Sequence, residues 1–154
     1  MIFEYFAELG CASKTKIIYD GCKLVCNATD DGSDCSETFS VVNMRSGLRL
    51  IFSFDGCYLL GMQSGELKLE SIRQAEIQIP DHVDGKLYGR CKAYRLLPNC
   101  DYLDFVSDSI FYDRGGNLIA FGNPKKASLT VRVCQNLFVS LDEFGSLVAV
   151  IVKL

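Results

Sequence analysis

The sequence predicts a single, mainly β domain of antiparallel sheet, arranged as a sandwich or half-barrel of repeated hairpins with little helix. Three observations support this fold class. Asp-Gly-type turns recur along the chain, their flanks are rich in Ile, Val, Phe, Tyr and Leu, and other stretches alternate apolar and polar residues. Asp and Gly suit tight hairpin turns, and the flanking residue types suit a pleated sheet. With 154 residues, of which 49% are hydrophobic and 23% charged, residues 1–154 can bury a core as one domain.

Five hairpin turns are predicted. Each has apolar residues before an Asp, then a Gly, then Leu or other apolar residues. They are centred on Asp20-Gly21, Asp55-Gly56, Asp84-Gly85, Asp113 to Gly116 and Asp142 to Gly145. We interpret the Asp residues as turn residues that fix strand register, and not as a repeated acidic site.

Further strands are predicted between and after these turns, where apolar and polar residues alternate. They cover residues 38–42, 48–54, 67–69, 75–79 and 129–133. Residues 147–152 are almost all apolar, which predicts a central strand buried on both faces. Helix is expected only as short pieces within residues 2–9 and 102–107.

Residues 17–64 and 108–154 are predicted to be two related β units. Each unit contains two of the four better turns, and a more irregular stretch joins the units. Two explanations remain open, internal duplication of one unit and repeated use of a favourable turn.

The eight cysteines are expected to be reduced thiols, several of them in the core, with structural disulfides as the alternative. The first nine residues have no basic start, and Glu4 and Glu8 interrupt their apolar residues. We therefore expect no secretory signal and a cytoplasmic location, where disulfides are disfavoured. No apolar run approaches the roughly 18 residues of a membrane span, so no membrane partner is expected.

The charge pattern argues against direct binding of nucleic acid. The net charge is −3, and the longest basic run is Lys125-Lys126. Binding to phosphates requires clustered Lys and Arg, which this sequence lacks. A basic protein would fit the sign of the charge better.

No catalytic or cofactor motif is found, and the chain is predicted not to be an enzyme. His82 is the only histidine and follows Pro80 in a turn-like context, which favours a surface histidine over a catalytic base. Cys22 and Cys26, with Cys11 and Cys35, lack the paired spacing of a structural zinc site. No metal and no cofactor are therefore expected.

Two acidic segments are the candidate partner-binding sites. The first lies in the polar stretch 27–37, which has the composition of a surface loop, and the second lies before the second unit. The candidate residues are Asp30, Asp31, Asp34 and Glu37 in the first segment, and Asp101, Asp104 and Asp108 in the second. For each one, ordinary solvation is the simpler explanation.

The last third of the chain resembles a small bacterial β domain. The resemblance rests on Asp113-Arg114-Gly115-Gly116-Asn117-Leu118 and on the apolar-Asp-x-x-Gly-x-Leu hairpin from Leu141 to Leu147. In size, acidity and absence of a catalytic motif, the chain is also similar to the immunity proteins of contact-dependent growth inhibition and related bacterial toxin systems. This resemblance implies stoichiometric neutralisation of a cognate toxin domain, such as a basic nuclease, in the same cell. Acidic loops would speed association with a basic toxin.

A second class of function is a β module that binds a small ligand or a carbohydrate. The absence of tryptophan disfavours a lectin, because sugar-binding surfaces use large aromatic side chains.

Overall fold

The computed structural model describes residues 3–7, 10–12, 14–28, 37–42, 48–56, 58–89 and 110–154. In these residues the chain is mainly β, as predicted, and its strands form two seven-stranded sheets. Sheet one contains β1 (Phe3–Phe6), β2 (Thr15–Tyr19), β3 (Leu24–Ala28), β4 (Glu37–Val42), β5 (Arg49–Asp55), β6 (Tyr58–Ser64) and β9 (Lys86–Gly89). Sheet two contains β7 (Arg73–Gln74), β8 (Val83–Asp84), β10 (Ile110–Asp113), β11 (Leu118–Gly122), β12 (Leu129–Cys134), β13 (Leu137–Leu141) and β14 (Leu147–Lys153).

The two sheets pack face to face around one shared core. In the longer strands whose side chains the structure describes, alternate residues point into the shared core, because successive side chains of a strand leave opposite faces. The shared cluster includes Leu24, Phe52 and Met62 from sheet one and Phe121 and Val139 from sheet two, all at most 1% exposed. The result is a β sandwich, in which neither sheet is stable as an isolated layer because each buries its apolar face on the other.

Each predicted β unit supplies the main part of one sheet, and the two units share one strand order. The first unit is ordered β2-β3-β6-β5-β4, and the second is ordered β10-β11-β14-β13-β12. The strand register also shifts at the same place in both units. The shift lies between Ser53 and Phe54 in the pairing of β5 with β6, and between Ser140 and Leu141 in the pairing of β13 with β14. Internal duplication, one of the two open explanations, would produce this agreement.

Four of the five predicted turns are hairpins, and side-chain hydrogen bonds explain three of their aspartates. Asp20 accepts from the backbone N–H of Cys22 and Lys23, and Asp142 accepts from those of Phe144 and Ser146. Asp113 Oδ1 accepts from the N–H of Gly116 at 2.9 Å. Backbone N–H donors hold the pKa of Asp20 and of Asp113 below its usual value, because they stabilise the carboxylate.

The fifth turn, at Asp84-Gly85, is not a hairpin, and this prediction was wrong. β8 before Gly85 belongs to sheet two, and β9 after it belongs to sheet one, so the chain passes here from one sheet to the other. Gly85 is needed for the passage, because a Cβ at this position would collide with the ring of Tyr5. A turn signature shows where the chain bends, but not whether the flanking strands pair with each other.

Three other local predictions were also wrong. Residues 3–6, expected to be part of a short helix, form strand β1, in which Phe3 and Tyr5 pack against the core. The expected strand at 67–69 runs instead into a short 3-10 turn, Leu69–Ser71. Residues 75–79 are extended but belong to no strand. The expected helical piece at 102–107 lies outside the described residues.

Residues 75–82 form a strap across the outer face of sheet two. The strap leaves the edge strand β7, which pairs in parallel with β10, and ends in β8, which pairs in parallel with β12 at the opposite edge. Six strand spacings of about 4.8 Å separate these edges, about 29 Å in all. The nine steps from Gln74 to Val83 span at most about 31 Å, so the strap must be almost fully extended.

β14 lies in the centre of sheet two, between β11 and β13, as its apolar sequence predicts. Ala149, Val150, Ile151 and Val152 are all 0% exposed. Val150 and Val152 face the shared core, whereas Ile151 belongs to a second cluster of buried residues under the strap. No helix in the described part of the chain is long and apolar enough to cross a membrane.

Candidate functional site

Six of the seven predicted acidic site residues lie outside the described residues. They are Asp30, Asp31, Asp34, Asp101, Asp104 and Asp108. Glu37 is the first residue of β4, where its backbone pairs opposite Phe54 of β5. The acidic segments therefore remain predictions, and the described residues offer other surfaces that the sequence did not reveal.

The outer faces of the two sheets correspond position by position. Ile51 pairs with Gln63 in sheet one as Phe138 pairs with Ile151 in sheet two. The equivalent pairs Thr38–Ser53 and Thr130–Ser140 even have the same residue types. On the same register, Ile18 corresponds to Phe111, and Val25 to Ala120.

In sheet two this face is covered by the strap. Ile77 of the strap is 9% exposed and packs with Leu118, Ala120, Phe138 and Ile151. Several polar contacts hold the strap in place. The Ile77 N–H donates to Asp113 Oδ2 at 3.1 Å. The His82 ring lies edge-on against the Phe138 ring, with the centroids 5.0 Å apart. At the end of the strap, Arg132 donates twice to the Asp84 carboxylate, at 2.6 and 2.7 Å. The Arg132 guanidinium lowers the pKa of Asp84, so the ion pair persists into acid.

In sheet one the equivalent positions are more open. Ile18 is 44% exposed, and Val25, Ile51 and Gln63 are each only partly buried. By contrast, Ala120, Phe138 and Ile151 on sheet two are at most 4% exposed, and Phe111, the counterpart of Ile18, is partly buried. The outer face of the second unit is thus covered by the strap, whereas its counterpart in the first unit leaves Ile18 exposed and Val25 and Ile51 partly exposed.

An aromatic patch extends this open face across β1, β9 and β6. We define the patch as Phe6, Tyr58, Tyr88 and Lys86. The three rings contact each other edge to face, with centroids 6.1 Å apart for Phe6 and Tyr58, 6.2 Å for Phe6 and Tyr88, and 5.7 Å for the two tyrosines. The Lys86 ammonium lies 5.8 Å from the centroid of the Tyr58 ring, a cation–π contact. Phe6 remains 39% exposed.

The patch is pre-formed by the sheet. Leu59 and Leu87 point into the core, so their neighbours Tyr58 and Tyr88 must point outward, and the two tyrosines are directly opposite each other across the strand pair. Mutual ring packing holds the side chains in place before any partner arrives. A rigid aromatic surface loses little conformational entropy on binding.

A cleft of about 480 Å³ lies beside the strap on sheet two. Phe111, Ala120 and Ile77 give it apolar walls, and Glu76 and Lys125 are the charged residues at its border. The turn Pro124–Lys126 closes one side, held by the Asn123 side chain, which accepts from the Lys125 N–H at 3.1 Å. Its size falls within the range of small-ligand sites.

The titratable residues described here show no assembled catalytic centre. His82 is exposed, and its Nδ1 lies 3.2 Å from the Pro80 carbonyl oxygen, while the neighbouring Asp84 is occupied by Arg132. In the described ranges, no three His, Cys, Asp or Glu side chains come together as metal ligands would. Cys22 is exposed and Cys26 is buried, so these two cysteines do not share a site.

The sequence did not reveal the aromatic patch, because its members come from three distant strands. The alternation of β1 contained a partial signal, since Phe3 and Tyr5 on one face place Phe6 on the other. Comparison with protein families found no matching family, and a search of curated proteins found no match. Fold and surface therefore define the chain as a two-sheet β sandwich built on two like-ordered five-stranded units, with an open aromatic patch on the outer face of sheet one.

Proposed function

We propose that this chain is a non-catalytic binding protein that forms a stoichiometric complex with a protein partner through the outer face of sheet one. The observation that supports this most is the difference between the two equivalent faces. The strap buries the apolar outer face of sheet two, whereas the outer face of sheet one leaves Ile18 exposed on β2 and, at the other end of the strand order, Phe6 exposed beside two tyrosines. An exposed apolar patch on a folded domain marks an interaction site.

The composition of the patch favours a protein as the partner. Tyrosine and other aromatic side chains are enriched at protein interfaces, where a few of them supply most of the binding energy. Lys86 adds one positive charge within the patch. Nucleic acid is a poorer fit, because the net charge of the chain is −3 and the patch has no second basic residue.

The proposed partner is a cognate toxin domain made in the same cell, and the protein acts as its immunity protein. The resemblance in size, acidity and absence of a catalytic motif supports this assignment. In this proposal the open face supplies the apolar anchor of the complex. Asp30, Asp31, Asp34 and Glu37, together with Asp101, Asp104 and Asp108, steer a basic toxin toward it.

Sequencing the adjacent reading frame and co-expressing any toxin-like domain that it encodes tests the proposal. The chain should restore growth and co-purify with the toxin at a one-to-one ratio. Tyr58→Ala and Tyr88→Ala should each weaken the complex at least about tenfold, because each removes a central aromatic contact. The matched control is Phe144→Ala, which removes a ring that is 75% exposed on the β13–β14 turn of sheet two.

A separate variant set tests the acidic residues. Neutralising the first four, as Asp30→Asn, Asp31→Asn, Asp34→Asn and Glu37→Gln, should slow association and reduce its salt dependence with little change in dissociation. If growth is restored equally by the wild type and by the two tyrosine variants, the open face is not the binding surface. If no toxin is neutralised and none co-purifies, the immunity function is wrong.

The cleft beside the strap supports a second candidate function, the binding of a small ligand. Its mixed wall of Phe111, Ile77, Glu76 and Lys125 would hold a compact molecule with an apolar body and one polar end. A thermal-shift screen of sugars, nucleotides and small carboxylic acids tests this candidate. A hit must be abolished by Ala120→Phe, which fills the cleft, and must be insensitive to Tyr58→Ala.

A further inference from the structure

Two cysteines face each other in the core between the sheets. Cys26 lies in the middle of β3 in sheet one, paired between Ile17 and Met62, and Cys134 is the last residue of β12 in sheet two. Both side chains are 0% exposed and belong to the shared core cluster. β3 and β12 come close to each other across the sandwich, and each thiol is the main electrostatic partner of the other.

The fold itself does not require a thiol at this place. On the register of the two units, Cys26 corresponds to Phe121, because Cys26 pairs with Met62 as Phe121 pairs with Val150. An aromatic ring fills the equivalent space in the second unit. The thiol pair is therefore specific to this location, where two small side chains face each other between the sheets.

The surroundings of the pair distinguish its two members. The hydrogen bond with Cys134, together with burial, raises the pKa of Cys26 and keeps that thiol protonated. The same hydrogen bond, donated by Cys26, lowers the pKa of Cys134 against the opposing effect of burial. Cys134 is thus the first of the two to become a thiolate, the form that reacts with oxidants.

The corner around Cys134 also contains a buried polar group. The Thr15 hydroxyl lies beside the Cys134 sulfur and stabilises its thiolate. It can also bond to an oxygen atom added to that sulfur. The segment from Gly10 to Ala12 covers this corner, since the Ala12 N–H donates to the Val133 carbonyl at 3.0 Å. Only a small oxidant can reach the pair without unfolding of the sandwich.

We propose that Cys26 and Cys134 are an oxidation site at which a hydroperoxide such as hydrogen peroxide closes a disulfide between the two sheets. The Cys134 thiolate attacks one peroxide oxygen, the O–O bond breaks, and the departing hydroxide takes up a proton to become water. The Cys134 sulfenic acid that results is then attacked by the Cys26 sulfur. The S–S bond forms, the S–O bond breaks, and the hydroxide leaves with the Cys26 proton as a second water. Two electrons pass from the two thiols to the peroxide.

The bridge would join the two β units covalently. Cys26 and Cys134 are far apart in the sequence, so the bridge closes a long loop and removes much of the conformational freedom of the unfolded chain. We expect the oxidised protein to unfold about 5 to 15 °C higher than the reduced protein.

Peptide mapping of the folded protein tests the proposal. Trypsin releases Cys134 in fragment 133–153, which has no other cysteine, and releases Cys26 in fragment 24–45 together with Cys35. The parent for the experiment is therefore Cys35→Ser, in which each fragment has one cysteine. This protein is oxidised with hydrogen peroxide under native conditions, alkylated, digested without reductant and analysed by mass spectrometry.

We expect a linked species of the two fragments, lighter by two hydrogen atoms than their sum and separated again by dithiothreitol. In a Cys26→Ala variant, the link should be absent and fragment 133–153 should gain oxygen instead. The parent experiment is decisive even where this variant fails to fold. The proposal is overturned if both fragments remain fully alkylatable after oxidation. It is equally overturned if fragment 133–153 links to a different cysteine, or if the link forms only after unfolding in urea.

Discussion

Replacing Ile77 by Ala should destabilise the whole sandwich, because this side chain fixes the strap on sheet two. Ile77 is 9% exposed and contacts the second core cluster, so Ile77→Ala removes three buried carbons. At about 0.8 kcal/mol per carbon, the loss in the free energy of unfolding is about 2.5 kcal/mol. Any cavity that the strap cannot close adds to this figure.

Urea denaturation followed by circular dichroism measures the effect, and thermal unfolding should show a fall in Tm of about 5 to 10 °C. The backbone N–H of residue 77 still donates to Asp113 in the variant, so the experiment isolates the side chain. The control is Val83→Ala in β8, which truncates a side chain that is 39% exposed and should cost less than about 1 kcal/mol. Hydrogen exchange should speed up in residues 75–82 before sheet one is affected. A loss below about 0.5 kcal/mol for Ile77→Ala would refute the role of the strap.

Three further predictions follow from single contacts. Backbone donors lower the pKa of Asp113 below 3.8, so its contribution to stability is full above that value and is lost as the pH falls through the lower folded pKa. Asp113→Asn should therefore flatten the acid limb of the curve of stability against pH. An unchanged acid limb would argue against the role of Asp113 in the turn. Thr130→Val should lower the free energy of unfolding, measured by urea denaturation, by about 1 to 2 kcal/mol, since it leaves the buried Ser140 hydroxyl without its 2.9 Å partner. When Thr130→Val is made in a protein that already has Ser140→Ala, the loss should be much smaller. Gly61→Ala should prevent stable folding, because a Cβ there would meet the backbone of Cys26 and Asn27, whereas Gly115→Ala has room at 3.5 Å and should fold, as circular dichroism would show.

The sequence predicted the local turns well because their chemistry is local. Asp20, Asp113 and Asp142 each bond to backbone N–H groups within four residues, so the signal and its cause lie in one short stretch. The similarity between the two units was also visible, since Ile17 to Asp20 and Ile110 to Asp113 are nearly the same. What no turn could show was which strands pair, and the Asp84-Gly85 segment was misread for this reason.

The strap shows a second limit of sequence reasoning. Alternation in residues 75–79 correctly indicated that one side of an extended segment is buried, but burial does not imply hydrogen bonding to a neighbouring strand. Ile77 is buried by lying on a sheet, and not within one. The aromatic patch was missed because Phe6, Tyr58 and Tyr88 meet only after the whole of sheet one has formed. The choice of the acidic segments rested on charge alone.

The two faces also explain how one architecture can serve both stability and binding. On sheet two the strap adds Ile77 and His82 to the covering layer, and the ion pair of Asp84 with Arg132 fixes its end. On sheet one the equivalent positions Ile18, Val25 and Ile51 are apolar but partly open, and Gln63 takes the place of Ile151. A bound partner would complete sheet one much as the strap completes sheet two.

If the proposed toxin complex forms, a hydrogen-exchange footprint of it tests this claim most directly. The open-face account predicts slower exchange on binding in β1, β9 and β6, which contribute the aromatic patch, with no change in β11, β13 and β14 of sheet two. Slower exchange confined to the strap and the turn at Pro124–Lys126, with β1 and β9 unchanged, would contradict it.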